Sequence, residues 1–246
     1  MNKRIILFIL FACFSLVEIK AQVIASESFD YTVGTTLSTS NGGAGWGGAW
    51  ELVGGDDKMI VADSIKNFRT GFGSGTGLLM DLDAAGKNVR LERRLAAPIE
   101  DDGEFWIAFA VDFVTVGSNV FNVALVDVDA TAASGPGGLK MIIGKFFNPD
   151  DWGAAAAQNT NPGRVVGQRP EGVHWMVTKV SFGGVGVNDT LRLFLNPDPM
   201  IEPTNDAADV TFIGGALDGG FNGIMIRTEA NPTIVTKVDD LILGRS

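Results

Sequence analysis

The sequence predicts an all-β protein, built as a sandwich or a barrel. Residues 104–116 (EFWIAFAVDFVTV) alternate large apolar side chains with smaller or charged ones, and this period of two is typical of a strand. Segments of the same kind recur every few residues, separated by clusters of Gly, Asn, Asp or Pro. The 246 residues are 46% hydrophobic and include 32 glycines, which suits a sheet-built core and excludes a coiled coil or a disulfide scaffold.

About twelve strands are predicted along the chain. Each is a short segment of alternating or continuous apolar residues bounded by turn residues, and so many strands at this spacing indicate a sandwich or a barrel. Residues 154–158 and 200–208 resemble helices in composition, but neither keeps a helical period over three turns. The predicted strands, in order, contain SESFDY, KMIVAD, GLLMDLD, NVRLERRL, EFWIAFAVDFVTV, NVFNVALVDVD, LKMIIGKFF, HWMVTKVSFG, DTLRLFLNP, DVTFIGG, FNGIMIRT and KVDDLILG.

The N-terminal residues have the pattern of a secretory signal. Two basic residues precede an apolar stretch that is shorter than the roughly 20 residues needed to span a bilayer, and Ala21 suits signal peptidase. We therefore expect a signal peptide over residues 1–21 and a single domain over residues 22–246. A membrane anchor and a lipid-modified Cys13 are the alternatives. No later apolar stretch is long enough to span a membrane.

The charge balance limits the partners. With 19 Lys and Arg against 29 Asp and Glu, the net charge is −10, which repels phosphate backbones and anionic membranes. Nucleic acid is therefore excluded as an expected partner. The glycine-rich residues 71–77 lack the lysine of a phosphate-binding loop, so no nucleotide is implied.

Both ends of the chain resemble a known family. The N-terminal part contains SFDY at residues 28–31 and NGGAGWGGAW at residues 41–50, and the C-terminal part contains HWMVTK, DTLRLFLNP and VDDLILG. These segments are similar to those of secreted bacterial jelly-roll proteins with concanavalin A-like, or laminin-G-like, domains. The resemblance implies two antiparallel sheets of six or seven strands, with the first and last strands adjacent. It also implies a secreted bacterial protein, located in the periplasm, on the outer surface or outside the cell.

The same resemblance implies a structural calcium ion near the junction of the first and last strands. Calcium requires several oxygen ligands, and carboxylates are its usual donors. The matching positions are Glu27 or Asp30 together with Asp239 or Asp240.

Catalytic motifs are sparse. Glu100, Asp102 and Glu104 stand at alternating positions, like the carboxylates of related glycoside hydrolases, but the sequence EDDGE is typical of a turn. His174 is the only histidine and has no serine or acid arranged nearby in sequence. We therefore expect a protein without catalytic activity, and a glycan-cleaving enzyme is the weaker alternative.

Sugar binding commonly uses an exposed aromatic ring with a few polar groups. In the glycine-rich GWGGAW, Trp46 and Trp50 are expected to fold back over the core. A long loop over residues 148–172 is expected to expose further side chains. The predicted ligand-binding residues are Trp152, Arg164, Arg169 and Trp175.

Two functions follow from these features. The first is a secreted carbohydrate-binding or adhesive domain whose partner is a glycan or a cell-surface polysaccharide. The second is a structural subunit of the cell exterior that associates with itself, which the apolar composition of this acidic chain favours.

Overall fold

The structure is a computed structural model of the full chain. It describes fourteen stretches of the sequence, which contain all the strands discussed below. These are residues 22–56, 59–62, 65, 78–81, 88–113, 120–130, 138–145, 152–156, 163–165, 172–198, 200–214, 217, 219–229 and 236–245.

The described residues form fifteen strands and one short 3₁₀ turn at Asn205–Ala207. The strands are β1 (Gln22–Glu27), β2 (Glu51–Gly54), β3 (Met59–Ala62), β4 (Leu78–Asp81), β5 (Asn88–Ile99), β6 (Glu104–Phe113), β7 (Val120–Val126), β8 (Leu139–Lys145), β9 (Trp152–Ala156), β10 (Gly163–Val165), β11 (Gly172–Ser181), β12 (Asp189–Leu195), β13 (Val210–Gly214), β14 (Phe221–Glu229) and β15 (Thr236–Arg245).

The strands form two antiparallel sheets, as the sequence predicted. The eight-stranded sheet has the order β13-β12-β11-β6-β15-β4-β3, with β1 also paired to β15. The seven-stranded sheet has the order β10-β9-β8-β7-β14-β5-β2. The first and last strands are adjacent, with Glu27 opposite Leu241. The predicted two-sheet sandwich is therefore confirmed, with eight and seven strands rather than six or seven each.

The core lies between the sheets and follows the alternation seen in the sequence. On β6, Phe105, Ile107 and Phe109 are fully buried and face the other sheet. The ring of Phe105 meets that of Phe221 on β14 edge to face at 5.1 Å, and Phe109 meets Phe121 on β7. These contacts join the centres of the two sheets, so the period-two pattern of β6 directly sets which face enters the core.

Three strands were not predicted. They are β2, β9 and β10, which are three to five residues long. The segments of β9 and β10, WGAAA and GRV, are rich in small residues and lack an alternation of large apolar and polar side chains. The sequence therefore predicted one long loop over residues 148–172, where the structure has two strands. Among the described residues, no helix is long and apolar enough to cross a membrane.

Candidate functional site

One row of residues crosses the seven-stranded sheet, and its described side chains lie on the face turned away from the core. Core residues such as Leu91, Val123 and Ile226 point inward, so their neighbours along each strand point outward. The strand registers place six residues of six neighbouring strands opposite one another. We call this set the Asn122 row, and it contains, in order, Arg90 (β5), Arg227 (β14), Asn122 (β7), Gly144 (β8), Gly153 (β9) and Arg164 (β10).

Asn122 is the most unusual residue of this row. Its side chain is 1% exposed, and neither its amide nitrogen nor its amide oxygen has a hydrogen-bond partner within the chain. The next residues along the strand on the same face, Ala124 and Val126, form a small apolar cluster with Met225. Since a buried polar group without a partner costs about 1 to 3 kcal/mol, this amide is expected to serve a purpose other than stability.

Two arginines stand side by side next to Asn122. Arg90 and Arg227 are directly opposite each other on β5 and β14, and both are half-buried. Burial, together with the neighbouring charge of Arg90, lowers the pKa of Arg227 from its usual value. The Nε of Arg90 is buried without a hydrogen-bond partner. Like charges directly opposite in a sheet repel each other.

A second row, one step along the strands, carries acidic groups. Glu51 on β2 lies opposite Glu92 on β5. Burial first, and then the charge of Glu51, raises the pKa of Glu92, whereas Arg90 lowers it. Positive and negative charges therefore occupy separate rows of the same sheet face.

The predicted calcium ligand Glu27 has another role. Its Oε1 accepts a hydrogen bond from the backbone of Phe29 at 2.8 Å, and its Oε2 accepts one from the Tyr31 hydroxyl at 2.7 Å and is paired with Arg93. Glu27 and Arg93 are both about 1% exposed, and they connect β1 of one sheet to β5 of the other. Both oxygens of Glu27 thus accept from protein donors, and its role as a calcium ligand stays a prediction.

The other predicted calcium ligands differ in their exposure to solvent. Asp30 is exposed at the surface. Asp239 is 2% exposed and accepts a hydrogen bond from the backbone of Asp240, and burial and the Asp240 charge raise its pKa to about 7. Within the described part of the chain, no group of three or more His, Cys, Asp or Glu side chains is arranged to hold a metal ion.

The structure does not bring the predicted sugar-binding residues together in one site. Trp152 is fully buried and its ring meets His174 at 5.3 Å, so the prediction of an exposed Trp152 is wrong. Trp175 is also buried, on the outward face of the other sheet, beside Ala110 and Ile65. The backbone of Arg164 belongs to the Asn122 row, and nothing is described of its side chain.

Of Trp46, Trp50 and Arg169, the structure describes only the two tryptophans. Arg169 lies outside the described residues. Trp50 is buried and Trp46 packs partly buried against the same core, as the glycine-rich segment predicted. The Nε1 of Trp46 donates to the carbonyl oxygen of Ser26 at 2.9 Å, which fixes its ring over the first strand.

The three alternating carboxylates of EDDGE do not lie on one strand. Glu100 precedes the turn between β5 and β6, and Asp102 lies within this turn and is paired with Arg245. Glu104 begins β6 and pairs with Lys179 at 2.9 Å. The prediction of a turn is therefore confirmed.

Sequence reasoning missed the Asn122 row. The alternation of Arg90, Glu92 and Arg94 in NVRLERRL was a signal of a charged face, but Arg227 and Asn122 are distant in sequence. Only the pairing of β5, β14 and β7 brings them together.

Comparisons with known proteins inform the fold. No protein-family model matches the sequence, and no curated protein matches it. Among solved structures, an endo-1,3-β-glucanase from Streptomyces sioyaensis is 9% identical with a TM-score of 0.49, covering 91% of this chain and 96% of its own. A family 7 alginate lyase, A1-II', solved with a substrate, is 12% identical with a TM-score of 0.45, covering 80% and 92%. The carbohydrate recognition domain of Emp47p is 9% identical with a TM-score of 0.47, covering 92% and 97%.

At these identities the likeness concerns the fold alone, a jelly-roll sandwich of two antiparallel sheets. It corrects one expectation. The prediction of a protein without catalytic activity is wrong as an inference from this fold, because the similar structures include glycan-cleaving enzymes beside lectin domains.

Proposed function

We propose that the protein interacts with a carbohydrate polymer on the outward face of its seven-stranded sheet, at the Asn122 row. The observation that supports this proposal is the Asn122 amide, which is buried, unpartnered and next to two arginines. An amide has two donors and an acceptor in one plane, which suits the adjacent hydroxyl groups of a sugar. A bound sugar would satisfy the groups that the protein leaves without partners.

The test separates binding from stability. In Asn122→Leu the amide is replaced by an apolar group of similar size, so we expect the free energy of unfolding to rise by about 1 kcal/mol while polysaccharide binding is lost. The matched control is Thr178→Val. Thr178 lies fully buried with an unpartnered hydroxyl in the core between the sheets, and its loss is expected to stabilise the fold without affecting binding.

Both variants and the unchanged protein would be assayed on a broad array of neutral and acidic polysaccharides. Loss of binding only in Asn122→Leu supports the proposal. Binding by no form of the protein, or equal binding by all three, would overturn it.

Cleavage of the polymer on the same face is a second candidate function, favoured by the Glu51 and Glu92 pair. Directly opposite residues have Cβ atoms about 4.5 to 5.5 Å apart, which allows two carboxyl groups the roughly 5 Å separation of a glycosidase that retains configuration. Glu92, whose pKa is raised, would be the acid and the exposed Glu51 the nucleophile.

This second function is tested by the release of new sugar ends from a bound polysaccharide. We expect Glu92→Gln and Glu51→Gln each to lose cleavage while keeping binding. Glu104→Gln, on the other sheet, is the control and should cleave normally. Cleavage that persists in both variants would exclude this pair.

We further propose that residues 1–21 direct export and are removed. The N-terminal sequence of the protein recovered outside bacterial cells would then begin at Gln22. A protein retained inside the cell with Met1 intact would contradict this.

Structural calcium and self-association remain predictions from the sequence. Calorimetric titration with calcium tests the first, and sedimentation in dilute solution tests the second.

A further inference from the structure

We infer that Asn41 and Gly42 form a self-modifying site, in which the backbone nitrogen of Gly42 attacks the side-chain carbonyl carbon of Asn41 and the asparagine becomes an acid. The two residues lie in the glycine-rich segment after β1, and neither belongs to a strand. Asn41 is exposed, so water can reach its amide and the released ammonia can leave. Asparagine is among the thermolabile residues of proteins, and a following glycine leaves the attacking nitrogen unhindered.

The side-chain carbonyl group of Asn41 is held by a buried cation. The Nη2 of Arg93 donates to the Oδ1 of Asn41 at 2.9 Å and to the carbonyl oxygen of Gly42 at 2.8 Å. Negative charge develops on Oδ1 when a nucleophile attacks the adjacent carbon, and a fixed guanidinium at this position stabilises that charge. Arg93 is 1% exposed and is paired with Glu27, so its donors are in place before the reaction begins.

The attacking nitrogen has a path for its proton. The backbone N–H of Gly42 donates to the Tyr31 hydroxyl at 2.8 Å, and this hydroxyl donates to the Oε2 of Glu27 at 2.7 Å. Burial, and then the contacts with Glu27, raise the pKa of Tyr31 to about 12. The hydroxyl therefore keeps its proton until it takes one from Gly42 and passes its own to Glu27. A Cβ at position 42 would lie 2.9 Å from the Tyr31 ring, so a glycine permits this close approach.

The reaction needs only water as a co-reactant. A bond forms between the Gly42 nitrogen and the Cγ of Asn41, the bond from Cγ to Nδ2 breaks, and ammonia leaves with the proton taken from Gly42. Water then opens the cyclic imide, at Cγ to give an aspartate or at the backbone carbonyl carbon to give an isoaspartyl linkage. Either product places a new carboxylate beside Arg93, in the network that joins β1 to β5.

The second Asn-Gly sequence of the chain, at Asn222 and Gly223, provides a matched contrast. The amide nitrogen of Asn222 donates to Asp127 and to Asp129, which hold it in place. Gly223 belongs to β14 and pairs with both β5 and β7, so its backbone nitrogen is not free to turn toward the side chain. We therefore expect modification at Asn41 and little at Asn222.

The experiment follows both asparagines in the purified protein during incubation at neutral pH, by mass spectrometry of proteolytic peptides. Asn41→Asp supplies the product standard. We expect Asn41 to be converted at least about 10-fold faster than Asn222, and faster in the folded protein than in guanidinium chloride. Tyr31→Phe removes the hydroxyl that takes the proton, so it should slow the conversion of Asn41 by about 10-fold or more and leave Asn222 unchanged.

Several results would contradict this site. Faster conversion of Asn41 in guanidinium chloride, or in Tyr31→Phe, would show that the folded contacts protect the residue and would overturn the inference. Equal rates at Asn41 and Asn222 would assign the reaction to the dipeptide alone and would also overturn it. An unchanged rate in a folded Tyr31→Phe, or no conversion of Asn41, would do the same. If Tyr31→Phe does not fold, the comparison of the folded and unfolded forms of the unchanged protein decides.

Discussion

Arg93 connects the two sheets through several polar contacts. Its Nη1 pairs with Glu27, its Nε donates to the Gly48 carbonyl oxygen at 2.9 Å, and its Nη2 donates to Asn41 and to the Gly42 carbonyl oxygen. The guanidinium also lies 4.8 Å from the centre of the Trp46 ring. One side chain on β5 therefore holds the first strand and the glycine-rich segment in place.

We predict that Arg93→Met lowers the free energy of unfolding by about 3 to 5 kcal/mol, because Glu27 is then left buried with an uncompensated charge. Urea unfolding measures the change. The double variant Glu27→Gln with Arg93→Met should recover part of the loss. Arg94→Met, which removes an exposed pair with Asp129, is the control and should change stability little. Equal effects of the two single variants would contradict the prediction.

Asp239 makes stability depend on pH. Its pKa is raised to about 7, chiefly by burial and then by the charge of Asp240. The folded state therefore binds more protons than the unfolded state between about pH 4 and pH 7, so this group lowers stability as the pH rises through that range. We predict that Asp239→Asn raises the melting temperature at pH 8 much more than at pH 4. Asp206→Asn, an exposed position on the 3₁₀ turn, is the control. A gain of equal size at both pH values would show that Asp239 does not titrate in this range.

At the scale of elements, the segment after β1 depends on its glycines. Gly45 has a φ of 80° and lies against β1, where an added Cβ would overlap the Ile24 carbonyl oxygen. Gly48, three residues later, has open space around it. The sequence GWGGAW thus mixes a glycine that the close approach of two backbones requires with one that it does not.

We predict that Gly45→Ala lowers the free energy of unfolding by at least about 1 kcal/mol, since both the backbone conformation and the contact with β1 are incompatible with a side chain. Gly48→Ala should change it by less than about 0.5 kcal/mol. Chemical denaturation of the two variants provides the comparison. A Gly48→Ala effect as large as that of Gly45→Ala would argue against the close approach as the cause.

The elements also show where sequence reasoning ended. The alternation in β6 was sufficient to predict its buried face. Trp152 was placed in a loop because WGAAA has one large side chain and no alternation. Pairing with β8 made this segment a strand and turned the ring of Trp152 into the core, with Lys145 opposite it. Short strands of small residues form because they pair with neighbouring strands of the sheet. The local sequence pattern carries no information about this pairing.

At the scale of the whole molecule, the distribution of charge affects the attraction of a charged polymer more than the net charge does. A net charge of −10 repels an acidic polymer at long range, whereas the positive charges of Arg90 and Arg227 would attract one at short range. Glu92, with a raised pKa, lies one step from Arg90 and opposite Glu51, and its charge opposes the arginines. Protonation of Glu92 would therefore strengthen the attraction.

We predict that any affinity for an acidic polysaccharide increases as the pH falls toward the raised pKa of Glu92, in a range where uronate and sulfate groups remain ionised. Glu92→Gln should bind more tightly at pH 7 and lose much of this dependence, as measured by titration calorimetry. Glu104→Gln, on the other sheet, should retain it. An unchanged pH dependence in Glu92→Gln would assign the effect to other acids.

The sequence by itself determined the all-β class and the position of most strands, because alternation and turn residues are local properties of the chain. Tertiary structure alone decided which polar residues share a surface. Arg90, Asn122 and Arg227 are separated by 32 and 105 residues along the chain, yet they are neighbours on adjacent strands. The family resemblance implied Glu27 as a calcium ligand, whereas its pairing with Arg93, which β5 brings from the opposite sheet, could not be seen in the sequence. Strand register sets these contacts, and a shift of one residue would turn every one of these side chains to the other face.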